Sequence, residues 1–446
     1  MKVIVIGAGT GGLCLAQGLK RSGIEVAVYE RDRTRSDGLQ GYRVGIDPDG
    51  SRALHACLPK ELYDTFVATC ARAPRYGNIY TERLKEVLSV DSGPVSADPV
   101  DSEKSVSRMT MRQVLLTGLE DEVRFGKVFA RYSHGADGRV TAHFEDGTTD
   151  TADLLVAADG SNSRVRRQYL PHAGLEDSGL VGVTGKLPLT GETRTLLPPK
   201  AIEGVSMIFA PGGYSCILHV MEFKWDQRGE LKNGIGGDDA ELLAAWPGLT
   251  FDNTRDYIMW GFAGARRNLP SEVLSMSGPQ LHRMVRELTG RWHPNLRELV
   301  AKTDPTTCFP LNIRTSVPIP QWDTTNVTLL GDAIHTMTPG RGVGANTALR
   351  DAAILRRELV AVRDGEKPLL AAVRAYETRM IDYGFDAVVK SRRQMSGDDP
   401  LHRPVIGRIM LAGMRTAMRA VNHLPPLKRR MAKAQASYRG AGRDDF

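Results

Sequence analysis

The chain opens with an apolar run, Val3 to Ile6, that leads directly into a cluster of glycines. Helical spacing follows from about Leu13 to Ser22, Gly23 stops it, and Glu25 to Tyr29 reads as a second strand, so the first 30 residues predict a strand–helix–strand unit. Leu154 to Ala158 and Val327 to Leu330 are short, wholly apolar runs closed by Asp-Gly and Gly-Asp. That is the pattern of parallel strands buried on both faces, and both are expected in the sheet of the opening unit. From about Leu180 to Cys308 the texture changes. Val181 to Lys186, Val205 to Ala210, Tyr214 to Phe223 and Tyr257 to Ala263 are longer, alternating runs, which predict a separate and mostly antiparallel sheet. Helical spacing returns at Gln280 to Leu288 and strongly at Asn346 to Val362, where Leu349, Ala353, Leu355 and Leu359 share one face. No fixed internal repeat is visible.

A chain of 446 residues exceeds the roughly 250–300 at which a single core stops growing, so more than one domain is expected. The runs predict an α/β protein: a discontinuous, doubly wound Rossmann-like domain over 1–70, 101–179 and 309–395, a β-rich substrate domain over 71–100 and 180–308, and a basic helical tail over 396–446. With 41% hydrophobic and 25% charged residues the composition is that of a globular protein. The initial apolar run is too short for a signal or membrane-spanning segment. Five scattered cysteines without CxxC spacing indicate neither a disulfide framework nor a zinc site, and a reducing cytoplasm fits them. The net charge of +7 belongs to the tail, where ten basic residues from Arg403 to Arg443 face only Asp444 and Asp445. Such a run is expected to be a solvated helix face and not a nucleic-acid contact. Ile409, Met410, Leu411, Met414 and Met418 form an apolar stripe that is expected to pack on the body, with membrane-surface contact as the lesser reading.

Three stretches carry chemistry. The first is Gly7-Ala8-Gly9-Thr10-Gly11-Gly12 between strand and helix. Gly7 permits a tight turn, Gly9 lets a pyrophosphate approach the backbone, Gly12 lets helix and strand pack closely, and the helix start supplies N–H donors. Glu30 ends the second strand about 20 residues on, where a carboxylate accepts from a ribose 2′-OH and repels a 2′-phosphate. FAD and NAD fit this register and NADP fits it poorly. Gly234-Ile235-Gly236-Gly237 follows polar residues and no strand, and is a decoy. The second stretch, Asp153 to Arg166, is a buried strand whose turn presents Asp159, Ser163 and Arg166 at the sheet edge where doubly wound folds bind ligands. The third runs from Leu329 through Gly331-Asp332 to Pro339-Gly340-Arg341-Gly342-Val343-Gly344-Ala345-Asn346 and into the long helix. Asp332 suits sugar-like hydroxyls, the glycines let a flat ring lie on backbone, and the helix aims its positive end at that ring. Such a site favours negative charge on a reduced isoalloxazine, which points to flavin.

With these three stretches in this order the chain resembles the flavoprotein monooxygenases of the para-hydroxybenzoate hydroxylase type, from Lys2 to about Leu359. The resemblance implies that Gly7, Gly9, Gly12 and Glu30 hold the ADP half of FAD and that Asp332 holds the ribityl chain, with Arg31 a further cofactor-binding candidate. It places Gly342, Gly344, Ala345 and Asn346 at the flavin ring, and Pro339 is a further cofactor-binding candidate. It also implies that Asp159, Gly160 and Arg166 serve both FAD and transient NAD(P)H, that Arg43 lies near the flavin and Arg112 against the FAD, and that the Val128 backbone meets adenine. Where the family commonly has Gln or Lys, this chain has Val343, so no side-chain role transfers there. His335 matches a family histidine without a proton-transfer role and is expected to be structural.

The implied reaction is monooxygenation: NAD(P)H reduces FAD, O2 forms a flavin C4a-hydroperoxide, and one oxygen passes to an apolar, aromatic or polycyclic small molecule. What the protein must add is positioning and a water-poor pocket. Tyr214, His219, Met221, Phe223, Tyr257, Met259, Trp260 and Phe262 offer a wall for it, of which roughly a third should line the pocket because strand faces alternate. His219 and Tyr257 are candidates for deprotonating a phenol. Baeyer–Villiger insertion and epoxidation use the same chemistry. The isolated tryptophans Trp225, Trp246, Trp260, Trp292 and Trp322 argue against a halogenase of the tryptophan type. An NAD-dependent dehydrogenase would leave the third stretch without a purpose, and a non-catalytic flavin-binding protein would show no substrate-stimulated NAD(P)H oxidation. No second dinucleotide fingerprint appears, so NAD(P)H is expected to visit a shared cleft.

Overall fold

Val3, Ile4, Val5 and Ile6 are all β-branched, a sequence that suits a pleated strand covered on both faces, and all four are buried. The computed structural model describes residues 1–34, 42–93, 96, 98–223 and 256–440. In it the strand Lys2–Ile6 lies at the centre of a five-stranded sheet. The order is Val327–Leu329, Leu154–Ala157, Lys2–Ile6, Glu25–Tyr29 and Val123–Arg124, with every pairing parallel. The strand–helix–strand opening, with its helix at Thr10–Arg21, therefore shares one sheet with the two later apolar runs, as their patterns predict. The long helix Gly344–Arg363 packs on Thr10–Arg21, on Pro48–Cys57 and on Leu369–Gln394.

The second sheet has seven strands, in the order Phe309–Ser316, Leu175–Pro188, Tyr257–Ala265, Ser215–Met221, Gly204–Phe209, Tyr76–Thr81 and Glu86–Asp91. All neighbours are antiparallel except Gly204–Phe209 beside Tyr76–Thr81. On one side the chain differs from the division expected at residues 180 and 309. The 14-residue strand Leu175–Pro188 runs through the first boundary, and Phe309–Ser316 pairs along it. The register shifts between Asp177 and Leu180, and across this bulge the strand remains paired with Phe309–Ser316 on both sides.

Strand alternation sorts the expected pocket wall. Lys186, Met259, His219 and Val205 stand in one row across four strands and share a face. Trp260 and Phe262 point the other way, into a core with Val285, Leu296 and Leu299 from the helices Gly278–Leu288 and Pro294–Ala301. Tyr214, stacked on Phe262 at 5.3 Å, belongs to that core as well. These three are thus packing residues. Trp225, Trp246 and the glycine decoy at 234–237 lie outside the described residues.

The tail forms two helices, Ile406–Asn422 and Pro425–Tyr438. Only part of its apolar stripe packs on the body. Leu411 is buried and Met414 and Met418 are half-buried, whereas Ile409 is 69% and Met410 42% exposed. Arg415 turns inward on the same side as Leu411 and hydrogen-bonds Glu82 and the Phe209 carbonyl, which sets the helix's rotation. No helix among the described residues is long and apolar enough to cross a membrane.

Trp260 is fully buried and its indole N–H donates to Thr303 Oγ1 at 2.8 Å. Trp260→Ala should lower the unfolding free energy by about 3–5 kcal/mol, read from urea melts, through the cavity and the lost bond.

Candidate functional site

Strand Lys2–Ile6 delivers the chain into Gly7 at φ +108°, where a Cβ would lie 2.4 Å from the Ala158 carbonyl oxygen; at Gly12 a Cβ would lie 2.2 Å from the Gly7 oxygen. Packing alone demands both glycines. Gly9 differs, because a Cβ there would meet only the Ala158 oxygen at 4.0 Å. Open space therefore faces its backbone. Behind it the helix Thr10–Arg21 starts with neither a side-chain cap nor an acid in its first turn. Open space before unsatisfied N–H groups is what a pyrophosphate requires.

Glu30 is buried beside this turn, and its carboxylate accepts from the Ala8 N–H at 2.7 Å and the Asp32 N–H at 3.0 Å. Arg112 donates to the Ala8 oxygen at 3.2 Å and pairs with Asp32 at 3.6 Å. Val128 follows Lys127, whose N–H donates to the Glu30 oxygen at 2.8 Å. Arg31 is exposed. The first turn thus gathers Gly7, Gly9, Gly12, Glu30, Arg112 and Val128 at one edge of the sheet.

At the next strand end, Gly160 takes φ +74°, and a Cβ placed there would find nothing within 4 Å. Asp159 accepts from the Arg164 N–H at 2.8 Å through one oxygen, while the other is buried without a hydrogen-bond partner among the described residues. Burial raises its carboxyl above the ordinary range, against the Ser163 and Arg164 hydrogen bonds. Arg166 is buried and donates to the Ala333 oxygen at 2.7 Å and the Ser161 oxygen at 2.9 Å. Its guanidinium therefore ties the second turn to the third, at the residue after Asp332.

The third turn begins at Gly331, in a backbone conformation of φ +60° and ψ −143°, and Asp332 opens the short helix Asp332–His335. Asp332 is solvent-accessible yet enclosed by protein; desolvation raises its carboxyl, while His335 and Arg108 pull it back. After Pro339–Arg341 the chain passes through left-handed Gly342 at φ +65°, again with nothing within 4 Å of a Cβ. Gly344–Arg363 then starts without a side-chain cap and without an acid in its first turn. Asn346 is buried and its amide is already used: Oδ1 accepts from the Asp47 N–H at 3.0 Å, and Nδ2 donates to the Gly45 oxygen at 2.9 Å and the Gly342 oxygen at 3.4 Å. Its side chain thereby draws the strand Arg43–Ile46 against the glycine bend.

Facing that strand are the row residues of the larger sheet. His219 Nε2 lies 3.0 Å from Ser105 Oγ, which accepts from Arg43 Nε at 3.3 Å and Nη2 at 3.2 Å. Burial first, and then the charge of Arg43, holds the His219 imidazole well below its ordinary pKa. The ring is therefore neutral at neutral pH. Tyr257 donates to the Tyr42 oxygen at 3.3 Å, and the Lys186 ammonium sits 5.1 Å and 5.3 Å from the Tyr42 and Tyr257 ring centres. Arg43, pushed down to about 10 by burial and by Arg439, remains a cation at neutral pH.

One functional cluster escaped the sequence patterns. Asp351 is fully buried, and its Oδ2 accepts from the Gly331 N–H at 2.7 Å and lies 2.6 Å from His335 Nε2; Tyr383 donates to Oδ1 at 2.6 Å. His335 thus has the orienting partner that the sequence did not disclose. The available signal was an acid five residues after Asn346, beside the apolar positions Leu349, Ala352 and Leu355 of the long helix. Ser105 and Tyr42 carried no local signal.

Burial opposes the charge on His335, but Asp351 prevails and raises its pKa above the ordinary 6.5. A raised folded-state value means the ion pair contributes fully below about pH 6.5 and is lost as pH rises through the raised value. Urea melts across this window should show that contribution as the difference between the parent and Asp351→Asn; equal pH dependence of the two would refute it. Taking the difference removes the opposite slope that His219, with its lowered value, imposes on both proteins.

Comparison with known proteins agrees with the geometry. Residues 278–380 match the family model described as an FAD binding domain, and residues 5–44 match that of an NAD(P)-binding Rossmann-like domain. The chain is 33% identical over 408 residues to the dual O-methyltransferase/FAD-dependent monooxygenase of Cercospora beticola, covering 85% of this chain but only 44% of that protein. The chain therefore spans less than half the length of this curated relative. It is 28% identical to the FAD-dependent urate hydroxylase of Klebsiella pneumoniae, covering 88% of this chain and 89% of that one. Among solved structures, a putative FAD-containing monooxygenase of Photorhabdus luminescens shares 32% identity at a TM-score of 0.75, covering 88% of this chain and 97% of the other. With three glycine turns gathered at one sheet edge and these likenesses along most of its length, the chain belongs to the FAD-dependent monooxygenases of the para-hydroxybenzoate hydroxylase type.

Proposed function

We propose that the chain uses NAD(P)H and O2 to hydroxylate an apolar, aromatic or polycyclic small molecule. The observation that carries this reading is the third turn: an open left-handed glycine, an uncapped helix start and an accessible carboxylate stand together. When bound, FAD accepts hydride from NAD(P)H and activates O2. The residues of the three turns fit it. Gly7, Gly9, Gly12 and the helix start behind them would hold the pyrophosphate, and Glu30, Arg31, Arg112 and Val128 flank the adenosine end. The unpartnered oxygen of Asp159 supplies an acceptor for a hydroxyl, and Gly160 beside it leaves room. Asp332 would accept from the ribityl chain. Pro339, Gly342, Gly344 and Ala345 would lie under the ring, where the free N–H groups of the helix stabilise negative charge. Asn346 acts by fixing Arg43 and its strand.

The sheet row that carries Lys186, Met259 and His219 would form the opposite wall, with Ile217 and Met207 beside it on the same face, all but His219 partly open. Met259, Ile217 and Met207 on this wall would exclude water and seat a ring system beside the Lys186 ammonium. His219 is 1% exposed and its Nε2 is engaged by Ser105, so we assign it to positioning Arg43 and not to proton transfer. Tyr257, with its hydroxyl engaged by the Tyr42 carbonyl, takes the same kind of role.

The purified protein should be yellow, and a panel of phenolic and polycyclic compounds should contain one that stimulates NAD(P)H consumption and gains one oxygen by mass. A colourless protein that takes up no FAD would overturn the reading. Asp332→Ala should weaken FAD binding by about tenfold or more, the scale of a lost charge-assisted hydrogen-bond acceptor, as measured by flavin fluorescence. His219→Gln should slow turnover while leaving the pH optimum in place; a shifted optimum would restore it as a base.

A further inference from the structure

The two tail helices present a surface that the flavin chemistry does not use. On Ile406–Asn422 the residues Gly407, Leu411, Met414, Arg415 and Met418 face the body. The opposite face carries Ile406, Ile409, Met410, Gly413, Ala417 and Ala420, all exposed, with Val405 just before it at 72% exposure. Solvent thus meets a substantial part of the helix's apolar surface, while Leu411, Met414 and Met418 pack inward. Leu424, Leu427 and Met431 extend the exposed apolar surface onto Pro425–Tyr438.

Charge decides what covers it. From Pro400 to Gly440 the sequence holds nine lysines and arginines and no aspartate or glutamate. Arg403, Arg408, Arg419, Arg429, Arg430 and Lys433 are exposed, and none forms an ion pair among the described residues. A second copy of the chain docked about a two-fold axis would bring like charges from this rim together, since both partners offer the same patch. An anionic bilayer satisfies both features at once, with aliphatic side chains at the acyl boundary and cations among the headgroups. The hairpin is fixed to the body and not loosely tethered: Arg415 bonds Glu82, Arg439 pairs with Glu103 at 3.1 Å, and the Arg341 guanidinium lies 3.3 Å over the Tyr438 ring.

We infer that the exposed face of the Ile406–Tyr438 hairpin is a docking surface for anionic lipid, on which the protein lies in the interface without crossing it.

The test is flotation of the full-length, flavin-loaded protein with phosphatidylcholine vesicles, with and without phosphatidylglycerol. The protein should float with the anionic vesicles alone and be released by salt. Ile406→Ser with Ile409→Ser should weaken binding by at least about tenfold, with flavin content unchanged, as expected for removing aliphatic surface from the acyl boundary. Arg408→Ala should weaken it by roughly fivefold at low salt, the scale of one basic residue near such a surface, and gives a second reading should the double variant fold poorly. Absence of flotation overturns the inference, as does equal binding to neutral vesicles or indifference to all three substitutions. A dimer in light scattering that Ile409→Ser dissociates, without flotation, overturns it in favour of a second copy.

Discussion

The site depends on buried polar ties that hold three distant turns against one sheet edge. Backbone groups in distorted turns lose their helix or sheet partners, and a buried unmatched group costs about 1–3 kcal/mol. Here side chains from elsewhere supply the partners. Glu30 takes the Ala8 N–H, Asp351 takes the Gly331 N–H, Arg166 fills the Ala333 oxygen, and Asn346 serves Gly45 and Asp47 together. Each tie spans a stretch of chain that apolar packing alone would leave free to slide. The turns can therefore keep open space in front of Gly9 and Gly342 without collapsing into it.

The same ties explain why some residues that resemble ligand contacts are engaged within the protein. Asn346 uses both ends of its amide on backbone, so what it can offer a ring is its place at the helix start and the strand it holds. His335, pressed against Gly384 and paired to Asp351, belongs to the support of the Asp332 turn. Arg43 reaches the site through a chain of its own, from His219 through Ser105. The glycine bend and the larger sheet are thus joined by a hydrogen-bonded connection.

Much of this was legible in the sequence because it is local. Lys2–Ile6, the glycine turn, Thr10–Arg21 and Glu25–Tyr29 follow from apolar period and glycine placement within 30 residues, and the order of the three turns carried the family. What was not legible is long-range. Ser105 acquires its role only because Lys104–Ser107 pairs with Arg43–Ile46, and nothing near it announces that pairing. The candidate wall residues were picked out as a group, but their faces depend on register, which placed His219 and Met259 on one side and Trp260 and Phe262 on the other. The strand Phe309–Ser316 joined the larger sheet for the same reason: its partner, Leu175–Pro188, lies more than a hundred residues earlier.

The tail shows the limit of pattern most clearly. A stripe of Ile409, Met410, Leu411, Met414 and Met418 reads as one apolar face if the helix is free to turn its best side inward. The rotation is instead set by Arg415, whose guanidinium reaches Glu82 and the Phe209 carbonyl and so carries Leu411, Met414 and Met418 inward with it. Arg415 is only partly buried, and its bonds to Glu82 and the Phe209 carbonyl fasten the helix at a rotation that leaves Ile409 and Met410 outward. The exposed apolar face is therefore a consequence of how the helix is fastened, and it persists as long as Arg415 keeps its partners.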